Sequence, residues 1–161
     1  MTDPTPPSSQ PAVDPALTAR IKGILLQPKA EWLVIDREFA TVNSLYTRYA
    51  MILAAIGPIA TLIASLVFLH QGVVGALILA VLSYVLGLAG VFILGVIINA
   101  LASSFGATPN PVQAHKLAVY SYTAAWIAGI ANLIPVAGGL IALIGAIYSL
   151  VLLFLGLPIL M

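Results

Sequence analysis

Side chains that could perform acid–base, redox or metal chemistry are scarce over most of this chain. Between Tyr49 and Met161 the only charged side chain is that of Lys116, and the whole sequence contains two histidines and no cysteine. Hydrolysis, electron transfer or proton relay within a membrane needs Asp, Glu, His or Cys at depth, where ionisable groups are costly. His70 and His115 fall at opposite ends of long apolar runs, so a bilayer thickness of about 30 Å separates them. We therefore predict no catalytic residue, no metal site and no cofactor, and we interpret both histidines as interfacial polar residues.

Neutral polar side chains offer the remaining chemistry. Asn99 and Asn132 are expected within or near apolar helices, where an interhelical hydrogen bond contributes about 0.6 to 2 kcal/mol. The favoured interpretation is a bond to a neighbouring helix or to the headgroups. The alternative is a polar path lined by both asparagines with Ser121 and Thr123. Lys116 is expected to extend its ammonium group to the cytosolic interface.

The elements that must position these residues belong to a membrane protein. Of the 161 residues, 61% are hydrophobic and 7% are charged, and all five acids and five of the six bases lie in the first 48 residues. No water-soluble domain covers its surface in this way, so most of the chain is expected to contact the lipid bilayer. The bases alternate with acids, so no nucleic-acid partner is predicted.

The apolar runs predict four membrane crossings, at about residues 49–69, 73–101, 116–134 and 140–161. The first and last pairs are joined by short turns, at residues 70–72 and around Pro135, and a polar loop at residues 103–113 separates the pairs. All six bases lie before the first crossing or beside that loop, which predicts a cytoplasmic amino terminus. The fold class is therefore all-α, a polytopic transmembrane helical bundle at residues 41–161.

Two short amphipathic helices are predicted ahead of the bundle, at residues 17–40, which we call the head. Residues 1–16 are rich in proline and are predicted to be a disordered tail. In the head, apolar residues recur at helical spacing around Trp32, and Pro28 begins the second helix. Trp32 is interpreted as a headgroup anchor rather than a contact for a soluble partner, and Arg48 as a basic interfacial anchor.

Small residues at helical spacing predict close packing of the crossings. Such stripes let helix backbones approach in lipid, where van der Waals contact replaces the hydrophobic drive. The pattern leaves open whether the partner helix belongs to this chain or to a second copy in a homo-oligomer, with packing within one chain preferred. Three stripes occur: Gly57, Thr61 and Ser65; Ser121, Ala125 and Gly129; and Ala142, Gly145, Ala146 and Ser149.

Three segments resemble the Yip-domain family, named for interaction with Ypt/Rab GTPases, and in particular its small bacterial members. They are RIKGILLQPKAEWLVIDRE (20–38), SLYTRYAMILAAIGP (44–58) and IYSLVLLFLGLPILM (147–161). The resemblance implies a helical protein of the bacterial inner membrane with a cytosolic amino terminus and five crossings. It differs in two respects: the Asp-Leu-Tyr-Gly-Pro segment of eukaryotic members has no match, so GTPase binding is not carried over, and the chain is expected to lack the last helix.

The function expected from these features is non-enzymatic. We predict an integral membrane protein with a membrane-organising or partner-binding role, in which the head offers a surface to a membrane or cytosolic protein. The alternative is a small oligomeric transporter or channel subunit.

Overall fold

The computed structural model describes residues 17–68, 72–134 and 136–161, and over these residues the chain is helical and contains no strand. The predicted tail, the end of the first predicted crossing and the turn residues His70 and Pro135 lie outside this range. Within the described range, seven α-helices result when segments that continue one another are joined. They are α1 (Leu17–Leu26), α2 (Pro28–Arg37), α3 (Val42–Val67), α4 (Val73–Leu101), α5 (Pro111–Ser121), α6 (Thr123–Ala128) and α7 (Gly138–Leu160).

Among the described residues, three helices are long and apolar enough to cross a membrane: α3, α4 with its 3-10 extension to Phe105, and α7. The predicted second crossing coincides with α4, and the fourth begins two residues after the start of α7. Only Ala76, Val91 and Gly95 of α4 are buried, so most of this helix is free to contact acyl chains.

The segment predicted as the third crossing is a series of short helices. After α5 the chain bends at Tyr122, continues as α6 and ends in a 3-10 turn at Gly129–Leu133. Thr123 Oγ1 donates to the Tyr120 carbonyl at 2.7 Å, a bond that bends helices because it competes with the backbone. Each piece is therefore shorter than a bilayer-spanning helix.

Helix α3 contains two irregular turns. Thr41 caps its first turn, where the hydroxyl accepts from the Ser44 backbone N–H at 3.1 Å and Ser44 returns the bond. Residues Tyr46–Ala50 form a π turn. The helix is interrupted again at Ala55, because Pro58 has no N–H to offer the carbonyl four residues earlier.

The core lies where the head meets the bundle, which is the name we use for α3–α7. Helix α2 packs against α7, α4 packs against α3 and α5, and the second half of α3 packs against the turn after α6. The residues that share this core are fully buried apolar side chains from six helices: Ile24, Trp32, Ile35, Leu53, Val91, Leu117 and Leu152. The head is thus an integral part of the fold.

Candidate functional site

A buried arginine ties the head together. Arg20 on α1 is 2% exposed, and its guanidinium donates to the carboxylates of Glu31 and Glu38. The same group lies 5.5 Å from the centre of the Tyr120 ring on α5. A charge removed from water is stable in a protein only when it is paired and hydrogen-bonded, so this cluster fixes α1 against both α2 and the bundle.

Lys116 on α5 caps the end of α2. Its ammonium group donates to the carbonyls of Ile35 at 2.8 Å and Glu38 at 2.6 Å, and to that of Asp36 at 3.4 Å. The last carbonyls of a helix lack partners within the helix and carry partial negative charge, so a cation suits them. Lys116 is only 3% exposed. Its ammonium group therefore binds within the protein and does not extend to the cytosolic interface as expected.

Trp32 lies inside the protein. Its side chain is fully buried, and its ring meets that of Tyr120 edge to face with centroids 6.5 Å apart. On the other side it occupies the space left by Gly156 of α7, where an added Cβ would lie 2.7 Å from Trp32 Cε2. The indole packs against α7 and not at the headgroups as we expected, because the glycine leaves a hollow of matching size.

His115 is buried beside the start of α3. Its Nδ1 lies 3.1 Å from the Tyr46 hydroxyl, and its ring lies 4.9 Å from that of Phe92 between centroids. A Cβ at Gly95 of α4 would overlap the imidazole. Burial lowers the pKa of His115 below its ordinary value of 6.5. The residue is 4% exposed, so it packs α3, α4 and α5 together instead of facing the interface as predicted.

The predicted packing glycines lie at close helix contacts. A Cβ at Gly129 would lie 2.9 Å from the Gly57 Cα, and one at Gly145 would overlap Ala128 and come within 3.0 Å of the Ala124 carbonyl oxygen. These backbones approach so closely that no larger residue fits without a shift. The partner helices at both points belong to this chain.

The two asparagines lie at opposite ends of the bundle. Asn132 donates to Thr61 Oγ1 at 3.2 Å, beside a cleft of about 330 Å³ that Ser65 and Gly138 also line. Asn99 follows Gly95 by one helical turn at the His115 end, and its Oδ1 is buried without a partner among the described residues. Ser121 and Thr123 lie between these two ends, and Thr123 Oγ1 is hydrogen-bonded to the Tyr49 hydroxyl at 2.8 Å. The structure does not bring the four side chains together.

The sequence does not predict the ion pairs of Arg20 with Glu31 and Glu38 that hold the head together. Glu31 and Glu38 are seven residues apart, and the sequence could have indicated a shared partner because this spacing would place both on one face if the predicted helix continued to Glu38. Arg48 is exposed on the first turns of α3. Among the described residues, no three His, Cys, Asp or Glu side chains are grouped as a metal site requires.

Comparison with known proteins covers both head and bundle. The sequence matches the Yip1 domain over residues 22–161. It is also similar to "Inner membrane protein YohC" of Escherichia coli strain K12, with 30% identity over 152 residues that cover 87% of this chain and 77% of that protein. The protein of the same name in Escherichia coli O6:H1 strain CFT073 gives the same values. No solved structure matches the chain.

Proposed function

Because this chain belongs to the Yip1 domain family, we propose that it is an integral inner-membrane protein that acts without catalysis, in a membrane-organising or partner-binding role. One observation carries the proposal. The charged groups buried at the head–bundle junction, Arg20 and Lys116, are directed at groups of the protein itself and hold the head in place. They serve as structural ties, and the outer face of the head stays available for contact.

The proposed topology has four crossings and a cytoplasmic head. The third crossing would be the broken segment at residues 116–134, whose contacts run from Lys116 at the head to Asn132 beside Thr61 at the other end of the bundle. The distribution of bases supports the orientation, since they lie on the head and beside the second loop. In this arrangement residues 17–40 form a cytosolic head and residues 41–161 the transmembrane domain.

Affinity capture from native membranes tests the role of the head. Removing residues 1–40 would expose the core, because Ile24, Trp32 and Ile35 are fully buried. The better variant carries Leu33→Ser and Val34→Ser, two side chains that are 52% and 54% exposed on the outer face. The matched control is Val136→Ser, at a residue that is 95% exposed at the other end of the bundle.

We expect the proteins or lipids retained by the full chain to change with the head variant and to stay the same with the control. An identical set of retained molecules in all three preparations would contradict the role of the head. Mass spectrometry of both proteins and lipids provides the measurement.

We prefer this proposal to a small oligomeric transporter or channel subunit. Such a function would use Asn99 and Asn132 along one path. Asn132, however, donates to Thr61 at one end of the bundle, whereas Asn99 lies at the other end, where His115 is located. Specific solute flux through liposomes that contain the purified chain, lost in Asn132→Leu, would favour the transporter instead.

A further inference from the structure

The head contacts the side of α7 over part of its length. Near one end of the contact, Trp32 fills the hollow at Gly156. Eight residues earlier on α7, the Tyr148 hydroxyl donates to the carbonyl of Leu25, at the end of α1, at 2.8 Å. Eight residues of helix correspond to about 12 Å along the axis. The α1–α2 hairpin therefore lies along the part of α7 between Tyr148 and Gly156, and α7 is long enough to cross the membrane.

The acids of the head are directed inward. Glu31 and Glu38 both pair with Arg20, and the Asp36 carboxylate accepts from Gln113 Nε2 at 2.8 Å. The negative charges of the head are thus engaged within the protein. A group that approaches the head from outside meets mainly the charges that remain exposed.

Those exposed charges are positive. Lys22, Lys29 and Arg37 are exposed, and two of them belong to a single row on α2. Residues Lys29, Leu33 and Arg37 are spaced by four, so they lie one above the other on the same helix face. Lys22 and Leu26 repeat the pairing of a base with an apolar residue on α1. The outer face is therefore basic and apolar at once.

The apolar part of this face is large and uncovered. Leu26 is 76% exposed, Leu33 is 52% exposed and Val34 is 54% exposed. Acyl chains cover such side chains, while the long aliphatic stems of lysine and arginine let their charges reach the phosphate level. Acidic lipids attract bases that lie close to the membrane surface.

We propose that the outer face of the α1–α2 hairpin binds acidic phospholipids of the cytosolic leaflet, with Leu26 and Leu33 among the acyl chains and Lys22, Lys29 and Arg37 at the phosphates. This inference rests on the proposed orientation of the head. It chooses a membrane-organising role over a soluble partner, because the hairpin packs against a helix that is long enough to cross the membrane.

Site-specific quenching tests the inference on the full chain in vesicles. The chain has no cysteine, so Leu33→Cys provides a single attachment point for a fluorophore. The vesicles consist of phosphatidylcholine with an equal, small fraction of spin-labelled phosphatidylglycerol in one sample and spin-labelled phosphatidylcholine in the other. The control label is placed at Val136→Cys, at the other end of the bundle.

We expect the acidic lipid to quench the Leu33 label more strongly, with an enrichment of about fivefold, and to quench the Val136 label no more than the neutral lipid does. Charge reversal by Lys29→Glu and Arg37→Glu removes the preference, and Lys29→Arg retains it. High salt weakens it in the labelled protein without further substitution, so the test stands even if the reversed variant does not fold.

Equal quenching of the Leu33 label by both lipids overturns the inference, and so does the absence of quenching by either, which would place this face in water or under a protein partner. Neither result decides the proposed function, because a change in captured proteins with the outer-face variant would still support it. Conversely, labelling that places the head on the other side of the membrane would remove the proposed orientation whatever the quenching shows.

Discussion

At the scale of single residues, the head is held by side chains that fill matched spaces on the bundle. Trp32 enters the hollow at Gly156 and meets the Tyr120 ring, and it is fully buried. Burial of a large aromatic side chain is among the strongest single contributions to stability. The adjacent Leu33 is half exposed and faces outward. Truncation of Trp32 and truncation of Leu33 are therefore expected to differ in their effect on stability.

Trp32→Ala is expected to lower the free energy of unfolding by about 3–5 kcal/mol, because it leaves a cavity between α2 and α7. Leu33→Ala serves as the control and should cost far less. Thermal or denaturant unfolding in a fixed detergent measures both. Equal losses in the two variants would contradict the packing described for Trp32.

Lys116→Met is expected to loosen α2 without unfolding the bundle. The variant removes three donors from the carbonyls of Ile35, Asp36 and Glu38, and hydrogen bonds made by a charged group contribute about 1.5–3 kcal/mol. Hydrogen exchange of the α2 amides should become faster, whereas Lys29→Met, at an exposed lysine on the same helix, should leave it unchanged. Unaltered exchange in Lys116→Met would show that the cap is dispensable.

Acidification is expected to destabilise the fold through His115. Its pKa lies below 6.5 in the folded chain because of burial, so the unfolded chain takes up the proton more readily. The buried, neutral His115 side chain therefore makes its full contribution to the stability of the fold above pH 6.5, and this contribution is lost as the pH falls below that value. When the pH is lowered through this range, the unfolding free energy should decrease less in His115→Gln than in the parent chain, since the amide does not titrate there. A loss of the same size in both would assign the pH dependence to other groups.

The sequence predicts the types of these residues better than their surroundings. It marks Lys116 as the one charge in a long apolar region and Trp32 as part of the apolar face of the head. It does not distinguish a tryptophan that faces headgroups from one that faces α7, because both environments reward the same amphipathic ring. The deciding partner, Gly156, lies 124 residues away and carries no side chain to signal the contact.

At the scale of helices, the glycines divide into those that a neighbour requires and those that face open space. A Cβ at Gly145 of α7 would overlap Ala128, whereas one at Gly87 of α4 would meet nothing within 4 Å. Both residues lie within long helices. The same substitution should therefore change stability in opposite directions at the two positions.

Gly145→Ala is expected to destabilise the chain by about 1–3 kcal/mol, the usual cost of overpacking a close contact. Gly87→Ala is the matched control and should be neutral or stabilising by up to about 1 kcal/mol, because alanine favours the helix. Unfolding in detergent compares them. A loss of stability at Gly87 as large as at Gly145 would indicate that α4 also meets a neighbour at this position, for instance in a second copy.

Helix prediction succeeds where hydropathy alone decides the outcome. The predicted second crossing and α4 share the bounds Val73–Leu101, since a long apolar run has one favourable conformation in lipid. The broken segment from α5 to the 3-10 turn was not predicted. Its bend depends on the Thr123 hydroxyl bonding back to Tyr120, a local choice that a count of apolar residues does not register.

At the scale of the whole molecule, the topology can be read with single cysteines, because the chain contains none. Val136→Cys, before α7, and Ser104→Cys, after α4, lie on opposite sides of the membrane in the proposed arrangement. An impermeant maleimide added to intact spheroplasts should label Val136→Cys and should reach Ser104→Cys only after permeabilisation. Labelling of both sites, or of Ser104→Cys alone, would contradict that arrangement.

The whole molecule also shows why the site was harder to predict than the class. Composition places the chain in the bilayer, and three segments place it in its family. The junction depends on contacts between residues such as Lys116 and Glu38 that lie 78 positions apart. Such contacts leave no periodic trace, and one sequence holds no second signal from which to infer them.

The connection between head and bundle sets a limit on movement. Only residues 38–41 separate the end of α2 from the start of α3, and four extended residues span at most about 14 Å. A head that separates from the bundle would therefore stay close to the start of α3. A force on the head would act directly on the first turns of α3, where Tyr46 contacts His115. An event at the leaflet surface is in this way mechanically connected to the packing of the membrane helices.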